Sequence, residues 1–300
     1  AGHKVHMADG QLKDVSEIKS GDVVASFDLI NKKNTYNKVL GTISRKTAEI
    51  NEIKTNISTL RCTPNHPLYI FEDFEYKKVC AADIKVGDFI PGVIKTEHVE
   101  KNKFDKNLAY FIGMILSDGH VAKTYKTIKL GVRKDKEHFD NKFRSGVKAL
   151  IGEDKSVSFT NKRGDFVVNY NNKEVISKFC NELDIPCGNK SSKIATPKTL
   201  MNSDLDSIRS FISACFDAEG DVNITNSNSL VINYNTTSEK MATEIQFLLK
   251  KFGISSSNKR ISRKNKNHHD IFRIYMCGIN AYRFFRHIGF DMERKQEKLY

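Results

Sequence analysis

The feature that most constrains this chain is an internal repeat. From residue 104 onward the apolar pattern completes one cycle and then begins again. An apolar helix is expected through Leu108, Tyr110, Phe111, Ile112, Met114, Ile115 and Leu116, with Asp105 placed to cap its start. Because it is apolar nearly all round, it should be buried. Strand-like segments follow at about 121–133. A helix is marked by Phe139, Phe143, Val147 and Leu150, strands return at 157–170, and a helix carries Val175, Ile176, Phe179 and Leu183. The second cycle has an apolar helix from about Ser207 to Ala218 and strands at 221–235. A helix through Met241, Ile245, Leu248, Leu249 and Phe252 follows, then strands at 258–277 and a helix holding Tyr282, Phe284, Phe285 and Ile288. Two αββαββα units are therefore expected, at 104–200 and 205–300, related by a pseudo-twofold axis within one monomer.

Both apolar helices end in the same way. The first closes on FIGMILSDG (111–119) and the second on ISACFDAEG (212–220). Gly113 and Ala214 occupy matching positions, and small residues let two helix backbones approach closely. Each helix ends in an acid followed by glycine, Asp118-Gly119 and Glu219-Gly220. A left-handed C-terminal cap is the expected use of such glycines. A single acid-glycine pair is ordinarily only a cap and a turn. Two pairs, 101 residues apart in matching positions of a repeat, point instead to a shared site. Helix C-termini carry partial negative charge, so two carboxylates meeting there call for a cation. Hard ions such as Mg²⁺ (or Mn²⁺) prefer oxygen ligands, and near a phosphodiester they activate water and stabilise the entering and leaving oxygens.

Charge agrees with a polyanionic partner: 49 Lys and Arg against 36 Asp and Glu give a formal net charge of +13. No run of apolar residues is long enough to span a bilayer, so no membrane partner is expected. The first ten residues, AGHKVHMADG, hold no export signal core. None of the six cysteines forms a CxxC pair, which speaks against zinc. A reducing intracellular, cytoplasmic setting is expected.

Residues 1–98 differ from the rest. Short alternating runs such as Asp22–Phe27 and Pro67–Phe71 read as strands between turns, and the phrases SEIKSGDVVAS (16–26) and AADIKVGDFIP (81–91) each set a Gly-Asp turn before a strand. A small all-β domain is expected here, giving an α+β chain overall.

FIGMILSDG and ISACFDAEG resemble the two motifs of monomeric LAGLIDADG homing endonucleases, and FDAEGDV (216–222) is a typical second-motif form. The resemblance covers residues 104–300. It implies a metal-dependent enzyme that makes a double-strand break at one long site in DNA, leaving short 3′ overhangs. It also implies that Asp118 and Glu219 are the metal ligands and the catalytic pair. Asp217, opposite apolar Leu116, reads as structural. The family adds a basic residue per half. Lys193, in SSKIATP, fits the first place with Lys190 as competitor. Lys295, in ERKQEKL, fits the second, with Arg294 and Lys298 as competitors.

Alternating strand residues are expected to reach the major groove of duplex DNA. In the first half these are Lys126, Lys129 and Arg133, followed by Lys162, Arg163 and Asn169. In the second they are Asn223, Thr225, Asn233, Asn235 and Arg273, with Arg260, Arg263 and Lys264 supplying mainly phosphate contacts.

HMADGQLKDVSEIKSGDVVAS resembles the opening of an intein or Hint domain, and TPNHPLYI (63–70) its second block, where Thr63 and His66 would assist an acyl shift. Residue 1 is alanine where that family has a cysteine or serine nucleophile, and a closing His-Asn is not found, so this sequence is not expected to splice. His66 is then a relic or a core histidine. Three readings follow: an endonuclease, a maturase-like nucleic-acid binder that does not cut, and an inactive fragment of a splicing domain. The first is favoured because both motif acids are present.

Overall fold

The computed structural model describes residues 3–93, 95–226, 228–263 and 269–299. The chain divides into two compact units, residues 1–99 and 100–300. No helix of the described residues is long and apolar enough to cross a membrane.

Among the described residues of the first unit, eight strands pair as hairpins with their chain neighbours, with one isolated bridge, Met7 to Val24, besides. β1 (Lys4–His6) pairs with β2 (Leu12–Asp14), β3 (Val23–Asp28) with β4 (Lys33–Lys38), β5 (Asn51–Lys54) with β6 (Thr59–Cys62), and β7 (Pro67–Glu72) with β8 (Glu75–Cys80). The result is four two-stranded antiparallel sheets, so strands form throughout this unit as expected, in small sheets. Burial accords with their small size. Among its described apolar residues only Cys62, Ile70 and Ala81 are buried, while Ile30, Leu40 and Phe74 stand open. A two-stranded hairpin lacks the apolar face that would join it to a larger sheet.

The second unit realises the repeat. Its first half runs α1 (Lys106–Ser117), β9 (His120–Val121), β10 (Ile128–Val132), α2 (Lys136–Ile151), β11 (Val157–Thr160), β12 (Phe166–Tyr170), α3 (Lys173–Glu182) and a short α4 (Lys198–Met201). Its second half runs α5 (Leu205–Glu219), β13 (Gly220–Ile224), β14 (Leu230–Thr236), α6 (Glu239–Lys251), β15 (Ser257–Ile261), β16 (Ile271–Cys277), α7 (Ile279–His287) and a short α8 (Glu293–Gln296). The strand orders β9-β10-β12-β11 and β13-β14-β16-β15 are the same, and every pairing is antiparallel.

The central helices start on matching aspartates. The Asp105 carboxylate accepts the Asn107 and Leu108 amides, and that of Asp204 accepts the Ser207 amide at 2.9 Å. These caps satisfy amides that a helix start leaves unpaired. α1 is buried on every side from Ala109 to Leu116 because it lies between α5 and α2. Gly113 permits the first contact: a methyl group there would lie 2.6 Å from the Phe211 carbonyl oxygen and 2.9 Å from Ala214 Cβ. Gly146 of α2 permits the second, since a Cβ would meet Phe111 at 2.3 Å. Each sheet then covers its half. Ile128, Leu130 and Val132 of β10 point inward and Lys129 and Gly131 outward, the period of two that a half-covered strand requires.

Candidate active site at the paired helix ends

Close packing of α1 on α5 brings their C-termini together. Asp118 follows the last residue of α1 and donates its backbone N–H to the Met114 carbonyl at 3.0 Å, and Glu219 is the last residue of α5. The glycines beyond them are not left-handed caps: neither Gly119 nor Gly220 has a positive φ. Their role is steric. A Cβ on Gly119 would sit 2.6 Å from Ile115 Cα, and one on Gly220 2.5 Å from the Phe216 carbonyl oxygen. Glycine lets the chain turn tightly over the last helical turn, so the acid is carried to the rim while β9 or β13 begins at once.

The two carboxyl groups are close enough to perturb each other's ionisation. Burial raises both pKa values. Glu219 is pushed to about 7 by burial and then by the Asp118 charge, and Asp118 is raised by burial against the opposing pull of Glu219, Lys190 and Lys295. A proton or a cation between them would relieve the same repulsion. The donor chemistry fits a hard divalent ion. Two carboxylate side chains meet here, and no group of three or more His, Cys, Asp or Glu occurs among the described residues, so water and phosphate oxygens would complete the shell.

Two buried lysines flank the acids. Lys190, 5% exposed, donates its Nζ to the Leu116 carbonyl at the end of α1. Lys295, 9% exposed, donates to the carbonyls of Phe216 (3.0 Å), Asp217 (2.6 Å) and Gly220 (2.6 Å) at the end of α5. Lys190 thus serves a carbonyl of the last turn of α1, and Lys295 serves those of Asp217 and Gly220 and adds a second donor to that of Phe216, which also accepts the Gly220 amide. Burial lowers both pKa values, that of Lys190 to about 8. Of the lysine expectations, Lys295 lies beside the acids. In the first half the structure places Lys190 there and leaves Lys193 exposed, with its amide on the Lys190 carbonyl at 2.7 Å. That tight turn sends the Lys190 side chain to the helix end and the Lys193 side chain to solvent. Arg294 is engaged elsewhere, in an ion pair with Asp135 at 2.9 Å, and Lys298 is exposed.

Asp217 supports Lys295. Its buried carboxylate accepts the Tyr110 hydroxyl at 2.7 Å and the amides of Asp291 (3.2 Å) and Met292 (3.3 Å). Tyr110 also meets His138 Nε2 at 2.9 Å. Asp217 thereby ties α1 and α2 to the segment that delivers Lys295, and burial pushes its carboxyl to about 7. Sequence reasoning did not find Tyr110 or His138 in this role. An aromatic and a histidine at helical spacing look like core residues, and nothing local marks their partner.

The strand expectations divide by register. On the first sheet's open face, Lys129 pairs opposite Asn169 and His120, and Gly131 opposite Val167. Lys126 is exposed in the β9–β10 turn, as are Lys162 and Arg163 between β11 and β12, and Arg133 is exposed just beyond β10. On the second sheet, Asn233 stands opposite Asp221 and Tyr275, and Asn235 opposite Arg273. Asn223 is exposed on β13 and Thr225 in the turn after it. Arg260 is exposed on β15. Its register partner Phe272 alternates with outward Arg273, so it starts from the opposite face and pairs with Asp270 at 2.6 Å. Arg263 donates its amide to the same aspartate. Lys264 lies outside the described residues. In the first unit, Thr63 accepts the His66 amide on its carbonyl at 3.0 Å, and His66 is exposed, so it is not a core histidine.

Comparison with known proteins places these features. Residues 206–289 match the LAGLIDADG-like domain. The replication factor C small subunit of Methanocaldococcus jannaschii is 30% identical over 258 residues, which cover 85% of this chain and 13% of that protein. The glutamine–fructose-6-phosphate aminotransferase of the same organism is 27% identical over 64% of this chain and 17% of its own length. Its ATP-dependent DNA helicase Hel308 is 26% identical over 79% and 20%. The chain thus spans a fifth or less of each of these relatives. Among solved structures, the homing endonuclease I-DmoI in complex with DNA and Ca aligns with a TM-score of 0.42 and 13% identity, over 61% of this chain and 88% of its own. The chain carries a LAGLIDADG-like domain in residues 206–289, and residues 104–200 repeat that domain's order of helices and strands.

Proposed function

We propose that the chain is a site-specific DNA endonuclease that makes a double-strand break by metal-dependent phosphodiester hydrolysis, acting as a monomer whose two halves each face one half of the target. The observation that carries this reading is the Asp118–Glu219 pair, two solvent-reachable carboxyls meeting at the ends of helices from two structural repeats and flanked by the buried amines of Lys190 and Lys295. Such a pair is costly to hold together for stability alone. Asp118 and Glu219 would hold Mg²⁺ or Mn²⁺, which when bound would neutralise phosphate charge and activate water. Lys190 and Lys295 fix the helix ends that carry the acids, and their positive charge offsets the repulsion between them. The outward sheet residues bind the duplex and orient it on the acids.

The reading is tested by cleavage selection on a randomised duplex library with Mg²⁺. One enriched site, cut in both strands with short 3′ overhangs, is expected. Binding without cutting by the unaltered protein would favour the maturase-like alternative.

A second reading concerns how the chain is carried. Its relatives are named for unrelated activities, a replication factor, an aminotransferase and a helicase, yet each matches over a small part of its own length. A segment shared by such proteins is best understood as an insert that travels between hosts. The 85% match includes part of the first unit, so that unit travels with the endonuclease half. Whether it excises is tested by placing the segment with natural flanks inside a reporter and weighing the products. A joined reporter would identify a splicing element, and an intact fusion would leave the nuclease alone.

A further inference from the structure

The open face of the first sheet holds a groove of about 430 Å³ that runs from Asp118 past His120, Lys129 and Gly131 to Arg133. Its middle differs chemically from its ends. Along β10 the outward positions are Lys129, then Gly131, and Arg133 lies one step beyond. Gly131 stands opposite Val167, which stands opposite Phe159, so one row across the sheet is open, then apolar, then aromatic. A Cβ at Gly131 would touch nothing within 4 Å, and its φ is not in the left-handed region. Backbone geometry therefore does not require glycine here, and its effect is to leave a slot. Phe159 remains 45% exposed.

The flanking cation is aimed. Arg133 donates Nε to Asp165 Oδ1 at 3.2 Å, and Asp165 is itself held by Asn161 Nδ2 at 3.2 Å. This engages Nε and leaves the two terminal nitrogens for a planar pair of acceptors.

We infer that this face is a base-reading surface for a thymine methyl group set between two guanine-containing pairs, a specificity that rests on the endonuclease reading and deepens it. In the major groove Lys and Arg suit guanine O6 and N7, and an apolar side chain suits the thymine methyl. Spacing agrees: outward residues on a strand recur every ~6.6–6.8 Å, about two base-pair steps of ~3.4 Å. Reading outward from Asp118, a guanine pair faces Lys129, a thymine pair lies about two steps on in the Gly131 slot, and a second guanine pair lies about two steps further at Arg133. The cationic ends complement duplex phosphate as well as guanine. The A-form major groove of RNA is too deep and narrow for the same contact.

The test is a binding selection with the full chain on random duplex DNA and duplex RNA, followed by titration of the selected DNA with deoxyuridine replacing the central thymine. That change removes only the methyl group and leaves the protein untouched. The selected half-site is expected to hold the spaced guanine–thymine–guanine pattern, and deoxyuridine is expected to weaken binding about fourfold, the worth of one buried methyl-sized group. Gly131→Val, which fills the slot, should erase the thymine–deoxyuridine difference. An enriched DNA site lacking the pattern, or one indifferent to the methyl, would overturn this inference and leave the endonuclease reading standing. Enrichment of RNA, or of nothing, would overturn both.

Discussion

At the end of α1 one carbonyl, that of Leu116, receives the Lys190 amine; at the end of α5 the Lys295 amine serves three, those of Phe216, Asp217 and Gly220. The residues matching each other in the two motifs are Leu116, which is buried among apolar neighbours, and Asp217, whose carboxylate ties down the chain that delivers Lys295. The repeat thus reaches one arrangement, an acid at a lysine-capped helix end, by two constructions. In the first half the lysine comes from the loop after α3 and arrives largely by packing. In the second it comes from α8, and the buried Asp217 carboxylate holds the amides of Asp291 and Met292 just before that helix.

This contrast can be broken from either side. Lys295→Met should be the most damaging change, because it removes three hydrogen bonds at a buried helix end, where of the three carbonyls Phe216 keeps a backbone partner, the Gly220 amide. A loss of about 4 kcal/mol in urea unfolding is expected, against about 2 kcal/mol for Lys190→Met, which removes one. Equal losses would mean that the two amines do the same work. Asp217→Asn keeps the shape but weakens the anchor and should cost about 2 kcal/mol; its distinctive signature is faster hydrogen exchange at Asp291 and Met292, with the α3–α4 loop unchanged. Gly113→Ala should cost about 1–2 kcal/mol by forcing α1 from α5, and it should lower cleavage more than DNA binding because the acids move apart.

The smallest effect is on pH dependence. Glu219 is held at about 7 in the folded protein, above its ordinary value of 4.5. The folded state therefore keeps a proton that the unfolded chain has released, so metal-free stability is full below about 4.5 and is lost as the pH rises through about 7. Asp217 slopes the same way. Melting temperature in chelator should fall by about 2–4 °C over that window. Glu219→Gln should flatten the slope in part and leave the Asp217 share. Added Mg²⁺ at pH 8 should restore the loss in the unaltered protein and not in Glu219→Gln.

Much of the second unit was legible in the sequence because its signals are local. Apolar periodicity marks α1, α2, α5 and α6, the alternation in β10 separates Lys129 from Leu130, and Asp105 announces a helix start. The meeting of Asp118 with Glu219 was legible only because the motif is repeated. What stayed hidden depends on contacts distant in the chain. The Tyr110–Asp217 bond spans 107 positions, and the choice of Lys190 over Lys193 turns on one tight turn. The glycines after the acids were legible as necessary and misread in mechanism, since a close approach and a positive φ ask for the same residue. In the first unit alternation predicted strands, and strands form, but hairpins with few buried side chains carry no signal that joins them into one sheet.

The central claim is that Asp118 and Glu219 form one hydrolytic centre. Its most direct test is cleavage of the selected duplex in Mg²⁺ by Asp118→Asn and by Glu219→Gln, with DNA binding measured in parallel. Each variant should lose double-strand cleavage by about a hundred- to ten-thousand-fold, the range for loss of a group acting at the reacting atoms, while binding changes by no more than a few-fold. Double-strand cutting at the normal rate by either variant would contradict the account.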